Sequence, residues 1–429
     1  MSEYFVSDAR TLAGDVVDVA IRDGRIDRLV EAGRGDPGEF EDDRCFDAGG
    51  SLVTPALIEP HFHLDATLSA GTPRWNTSGT LAEGIEIWGD LKGELTVDDI
   101  VDRGTQTVEW MAANGVTRVR THADTTDPSL TTVEGLLELE EAVSDVVDLQ
   151  IVAFPQDGIL TEDSHVDLLR EAVEMGADLV GAIPHNEHTR EDGVQSVTVA
   201  LDIAAEYDCP VDFHIDETDD PHSRFTEVLA SEALNRGIGE RTTASHATAM
   251  HSYNNAYADK LVSLIADSGI SVVTNPPDNS VLQGAYDDYP RRRGHTRIEE
   301  LRAAGVTVGI GHDSVMDPWY HYGEADPLDA AFVLLHYAHM AGRDDVSSLW
   351  EMLTEANADV WGLADGEYGL EEGAPGSLVV YGSPDGYNAL RTRPPRTLVL
   401  REGDRIASAD PRTATVERAH GPTQVDFHR

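Results

Sequence analysis

The stretch Thr54-Pro-Ala-Leu-Ile-Glu-Pro-His-Phe-His-Leu-Asp65 decides how the whole chain is read. An apolar run held between two prolines is the pattern of a short buried strand, and it delivers His61 and His63 one residue apart. Residues i and i+2 of an extended chain face the same way, so both imidazoles converge from one strand end. Two neutral imidazoles are half of a metal site. Taken alone the pair fits a surface pattern as well as a ligand pair, and the remainder of the chain has to decide between them.

Working outward, short apolar runs alternate with longer amphipathic segments. Strands are expected near 52–58 and at 117–120, 149–154, 179–183, 210–214, 242–245, 270–275 and 306–310. Helical segments such as 168–175 and 261–265 lie between them and lead to glycines that suit helix C-termini. Eight strand–helix units over about 310 residues predict an α/β fold, a (β/α)8 TIM barrel. The chain ends have a different pattern. Two alternating runs, 16–21 and 25–30, meet at Asp23-Gly24, a hairpin signal, and related runs return at 377–381, 397–400 and 402–407. Residues 1–52 plus 370–429 are therefore expected to form one small β-sandwich domain, with the barrel, 53–369, inserted between its halves.

Barrel chemistry gathers at the C-terminal ends of the strands. There the sequence places His61 and His63 after strand one, Gln156 after strand three, His214 and Glu217 after strand five, His246 after strand six, and His312, Asp313 and Ser314 after strand eight. Each has a plain structural explanation, a core histidine bonded to a carbonyl for instance, but their common location favours a site. Three imidazoles (His61, His63, His214) and the Asp313 carboxylate leave a position open for water, which is the form of a catalytic metal centre. Such an ion turns its water into a hydroxide nucleophile near neutral pH. Glu217 can shuttle a proton, and His246 can hold the hydroxide or polarise the attacked centre. Strand four carries no lysine to bridge a second ion, so one metal is expected.

The segments Glu59-Pro-His-Phe-His-Leu-Asp65, Thr72-Pro-Arg-Trp-Asn-Thr-Ser-Gly79, Ala153-Phe-Pro-Gln-Asp-Gly158, Thr243-Ala-Ser-His-Ala-Thr-Ala-Met-His-Ser-Tyr-Asn254 and Gly311-His-Asp-Ser-Val-Met-Asp-Pro-Trp-Tyr320 resemble the bacterial cytosine deaminases of the amidohydrolase superfamily. The resemblance spans nearly the whole chain. It implies one Fe(II) or Zn(II) ion and conversion of cytosine to uracil and ammonia. It assigns His61, His63, His214 and Asp313 to the metal, Glu217 to the proton shuttle and His246 to the attacking hydroxide. Gln156 would pair with the base edge and Trp319 would lie in the loop closing the pocket. It further implies a homo-oligomer, with a hexamer as one candidate.

Two departures bear on the substrate. The resemblance calls for two consecutive aspartates after strand eight, and here the second is Ser314, beside the substrate ring. Polar Asn186 and His188 stand where the family tends to carry aromatics, so Asn186 joins Gln156, Ser314 and Trp319 as an expected substrate contact. The alternatives are 5-methylcytosine, isocytosine, an aminotriazine or a cyclic amide. A non-catalytic barrel is disfavoured because every ligand position is filled.

Composition narrows the setting. The N-terminus lacks the basic start and apolar core of a signal peptide, and no run of about 18 apolar residues could span a bilayer, so a cytoplasmic protein is expected. Cys45 and Cys209 are the only two cysteines and suit a reducing compartment. Against 31 basic residues stand 79 acidic ones, a net charge of -48, which disfavours nucleic acid as a partner. The acids are spread along helical segments, the pattern of a halophilic protein whose self-repulsion is screened by salt. Thermal unfolding should therefore move to higher temperature between low and molar KCl; an unchanged midpoint would remove the salt-adapted reading.

Overall fold

In the computed structural model, which describes residues 2–428, the barrel strands are β1 Leu57–Phe62, β2 Val116–Asp124, β3 Asp148–Phe154, β4 Leu179–Ala182, β5 Val211–Ile215, β6 Thr242–His246, β7 Ser271–Thr274 and β8 Val308–Ile310. They form one eight-stranded parallel sheet in sequence order, the arrangement that right-handed strand–helix–strand crossovers produce. Every residue of β1, β4, β5 and β6 is buried, as strands covered on both faces must be. Their side chains alternate between the barrel interior and the layer under the helices.

The ring closes at a seam between β8 and β1, where the described residues form a single bridge, Phe62 to Asp313. Side chains do the remaining stitching. The Asn357 carboxamide accepts the Ile310 N–H at 3.0 Å and donates to the carbonyls of Ile58 at 2.9 Å and Ile310 at 3.0 Å. One step higher, the Glu59 carboxyl accepts the N–H groups of His61 at 3.2 Å and His312 at 3.0 Å. At the top, Asp313 donates its N–H to the His61 carbonyl and accepts that of His63, both at 3.0 Å.

The two chain ends meet as expected. Strands Tyr4–Arg10, Val16–Arg22, Arg25–Glu31 and Cys45–Asp47 make one four-stranded sheet; Val53–Pro55, Leu378–Tyr381, Arg396–Arg401 and Asp404–Ala407 make another. Asp23 (φ 48°) and Gly24 (φ 78°) both take left-handed conformations, the turn that matches the twist of a hairpin. Tyr4, Val19, Ile21 and Ile26 from the first sheet pack with Val53, Leu378, Val380 and Leu398 from the second.

Three particulars differ from the sequence reading. The strand expected near 52–58 is two strands: Val53–Pro55 pairs with Leu378–Val380 in the terminal sheet, and Leu57 begins the barrel. One unbroken apolar run serves two cores, which hydropathy alone does not divide. Second, β1 extends through His61, and its pairing with β2 advances three residues (Glu59 to Phe62) against two (Val119 to Thr121). This bulge falls at Pro60, which has no N–H to give a ladder, and it re-aims the side chains that follow. Third, residues 370–429 are not all sandwich: helix Gly386–Thr392 lies against the barrel, where Trp350 donates to the Gly386 carbonyl at 3.1 Å. No helix among the described residues is long and apolar enough to cross a membrane.

Replacing Asn357 by Leu leaves buried backbone groups of Ile58 and Ile310 unpaired, at about 1–3 kcal/mol each. Three groups are involved, and the variant should unfold about 3–10 °C lower in a thermal scan. A wild-type midpoint would show that the seam does not need this side chain.

Candidate active site

The seam and the bulge in β1 bring His61 and His63 to the centre of the barrel mouth, with His122 from β2, His214 from β5, His246 from β6 and Asp313 just past β8. All six are buried. His63 Nε2 lies 3.0 Å from His214 Nε2, and Asp313 Oδ1 lies 3.5 Å from His61 Nε2 and 3.6 Å from His63 Nε2. Such spacings are the edges of a coordination shell with bonds of about 2.0–2.2 Å. Potential ligand atoms of His61, His63, His122 and His214 fall within 4.8 Å of one another, as do those of His61, His214, His246 and Asp313. The expected set of His61, His63, His214 and Asp313 straddles the two groups.

The donor chemistry fits a divalent cation. Burial and then neighbouring imidazoles hold His61, His63, His214 and His246 well below the usual histidine range, so all four are neutral. His61 Nε2 has no hydrogen-bond partner. Lone pairs crowded against one another and a carboxylate are stable around a cation, and imidazole with carboxylate suits Zn(II) or Fe(II). Outer contacts set the tautomer. His61 Nδ1 donates to Ser245 Oγ at 2.9 Å, Ser245 donates to Asp212 at 2.6 Å, and Arg120 donates to the other Asp212 oxygen at 3.0 Å. The His61 lone pair is thereby directed inward.

The mouth is also where the backbone is strained. Asp216 (φ 50°), His246 (φ 71°), Ala247 (φ 49°) and Asp313 (φ 74°) occupy the left-handed region without being glycine, a conformation that persists only where the surroundings enforce it. Asp216 shows how. Its carboxylate accepts the N–H groups of Phe225 at 2.9 Å and Thr226 at 2.8 Å and the Ser223 hydroxyl at 2.6 Å, turning the chain so that Glu217 faces inward. Burial and then Asp278 push the Glu217 carboxyl well above its usual range, the condition of an acid that can hold a proton near neutrality. Asn279 donates to Glu217 at 3.2 Å and to His246 Nδ1 at 3.0 Å.

A recess above the cluster is lined by Gln156, Glu217, His246, Asp278, Ser314 and Trp319, together with Leu81, Leu282, His63, His214 and Asp313. Trp319 packs against Gly84, where an added Cβ would come within 2.3 Å of the indole. Asn186 is not part of the lining. The short turn Pro184–Asn186 folds back behind strand three's loop, and the Asn186 amide donates to the Gln156 carbonyl at 3.1 Å, so it positions Gln156 instead of meeting a ligand. Lys92 grips the same loop by donating to Asp157 at 2.6 Å and also reaches Asp124 at 3.0 Å. His122 and Asp278 were missed. For His122 the alternation of Arg118-Val-Arg-Thr-His122 would have extended β2 to the mouth; for Asp278 the signal was that strand seven alone of the odd-numbered strands had been assigned no polar residue.

Residues 44–407 match the amidohydrolase family. The chain belongs to that family. It is similar to the crystal structure of a 5-methylcytosine deaminase from Klebsiella pneumoniae liganded with 5-fluorocytosine, with a TM-score of 0.91 and 42% identity, covering 95% of this chain and 98% of that one. An N-isopropylammelide isopropyl amidohydrolase from Pseudomonas sp. (strain ADP) is 27% identical over 387 residues, 88% of this chain and 91% of the relative. A pterin deaminase from Rhizobium rhizogenes is 28% identical over 392 residues, 90% and 86% of the two chains.

For this amidohydrolase, chelator-stripped protein should gain thermal stability on addition of one equivalent of Zn(II) or Fe(II) per chain, and His214→Ala should abolish the gain. Elemental analysis near two ions per chain would overturn the single-ion centre.

Proposed function

We propose that this amidohydrolase deaminates an aminated pyrimidine, cytosine or a 5-substituted cytosine such as 5-methylcytosine, releasing ammonia and leaving uracil or its 5-substituted counterpart. The observation that carries this reading is that Glu217 and the Gln156 side chain enter one recess directly above the His/Asp cluster. Its likeness to a 5-methylcytosine deaminase at 42% identity supports the choice of ring.

A divalent ion held by His61, His63, His214 and Asp313 would lower the pKa of a water from about 15.7 toward 7. The protein's own groups supply the rest. Gln156 both donates and accepts, so its amide can pair with the cyclic amide edge of the base. Glu217 takes the proton of the attacking water and delivers it to the ring nitrogen beside the attacked carbon, then passes the second proton to the departing amine. Overall, water adds at the carbon bearing the amino group, the C–N bond breaks, and C=O and NH3 result. His246, held by Asn279, donates to the attacking oxygen, while Leu81, Leu282 and Trp319 give the ring apolar faces.

Ser314 is shorter than the aspartate that the family resemblance calls for, which favours a ring carrying a substituent. A second reading, an aminotriazine or alkylaminotriazine, is favoured by the similarity to the isopropylammelide hydrolase. A small nucleobase as partner, a homo-oligomeric assembly and a salt-rich interior are carried with the same proposal. Metal-loaded protein should release ammonia from cytosine or 5-methylcytosine faster than from isocytosine or aminotriazines, and Glu217→Gln should lower turnover about 100-fold or more. Silence on every aminated ring would sink the proposal.

A further inference from the structure

Asp278 is the one acid of the recess to which neither the metal centre nor the proton path assigns a task. It sits in the short helix Pro276–Leu282 that follows β7, is buried, and lines the recess. Its Oδ1 has no hydrogen-bond partner, whereas its carboxyl lies within reach of the Ser314 and Asp313 side chains. A buried oxygen without a partner is costly unless a ligand supplies one.

Its place in the ring of strands says which part of a ligand it meets. In an eight-stranded barrel of sequential order, strands three and seven stand opposite one another, so Gln156 and Asp278 face each other across the recess. A base whose amide edge is paired with Gln156 turns its far edge toward Asp278. The reacting carbon must also lie close to Asp313 and His246. Its exocyclic nitrogen, which carries two N–H donors, therefore falls next to the free Asp278 oxygen.

We propose that Asp278 is a specificity-determining residue that accepts a hydrogen bond from the exocyclic amino group, in the absence of an aspartate at position 314. The inference rests on the deamination reading. It gives the pocket a preference for substrate over product: the amino group donates to Asp278, whereas the carbonyl that replaces it sets oxygen against oxygen. Sites built around a hydrogen bond reject analogues that cannot make it.

The test is calorimetric binding of cytosine and uracil to metal-loaded protein in the slow Glu217→Gln background. Adding Asp278→Leu should reduce the preference for cytosine over uracil about tenfold to a hundredfold. Adding Asp278→Asn, which keeps an oxygen acceptor, should hold that preference within a few-fold, and placing Ser314→Asp beside Asp278→Leu should restore it. An unchanged preference in the Leu variant overturns the inference, as does a loss that neither Asp278→Asn nor Ser314→Asp repairs. If the Glu217→Gln protein binds neither cytosine nor 5-methylcytosine and the unmodified enzyme releases ammonia from no aminated ring, the deamination reading falls and takes this inference with it.

Discussion

Asp313 donates its backbone N–H to His61 and accepts that of His63. Those two hydrogen bonds close the barrel and, in the same stroke, set three of the expected metal ligands side by side. Little else joins β1 to β8 directly: below the bridge the seam depends on the side chains of Asn357 and Glu59. Burial pushes the Glu59 carboxyl up to about 8, so even this stitch is a desolvated acid held by backbone donors. The histidines, the aspartate and the closure of the ring are one arrangement, and a cation shared by His61, His63 and Asp313 would brace the seam from inside.

Electrostatics makes the same demand from another direction. The mouth holds neutral imidazoles whose lone pairs converge, and carboxyls of Glu217, Asp278 and Asp313 that burial raises first and a neighbouring carboxyl raises further, Asp278 for Glu217, Asp313 for Asp278 and Glu217 for Asp313. Hydrophobic packing would not assemble such a group. Outer contacts hold several of its members in place, Ser245 and Asp212 for His61, Asn279 for His246 and Glu217. The strained backbone at His246 and Asp313 belongs to the same pattern, since precise side-chain direction at the strand ends is obtained there at the expense of local conformational ease.

What could be read from the residues alone was what local pattern controls. The hairpin at Asp23-Gly24, the alternation of strand and helix, and the repeated fall of histidines at strand ends are all properties of neighbouring residues. What escaped depends on packing between distant parts. Residues 53–62 read as one run because apolar character does not say which of two cores it enters. His122 lay beyond the expected end of its strand, which runs on to Asp124. Asp278 hid behind two prolines that ended the apparent strand, and Asn186 was misjudged because the direction of a loop side chain is set by how the loop folds back. Lys92 shows the same limit: its salt bridges to Asp124 and Asp157 join elements that are far apart in the sequence.

The pairing of Val53–Pro55 with Leu378–Val380 has a consequence for how the molecule comes to exist. Only Ala56 separates that strand from β1, so the anchor of the first barrel strand is provided by residues that follow all eight barrel strands in the sequence. No nascent chain that ends before Val380 can form this pairing. His61 and His63, five and seven residues beyond Ala56, thus stand at the upper end of a strand whose lower end is fixed by a pairing of very long sequence separation.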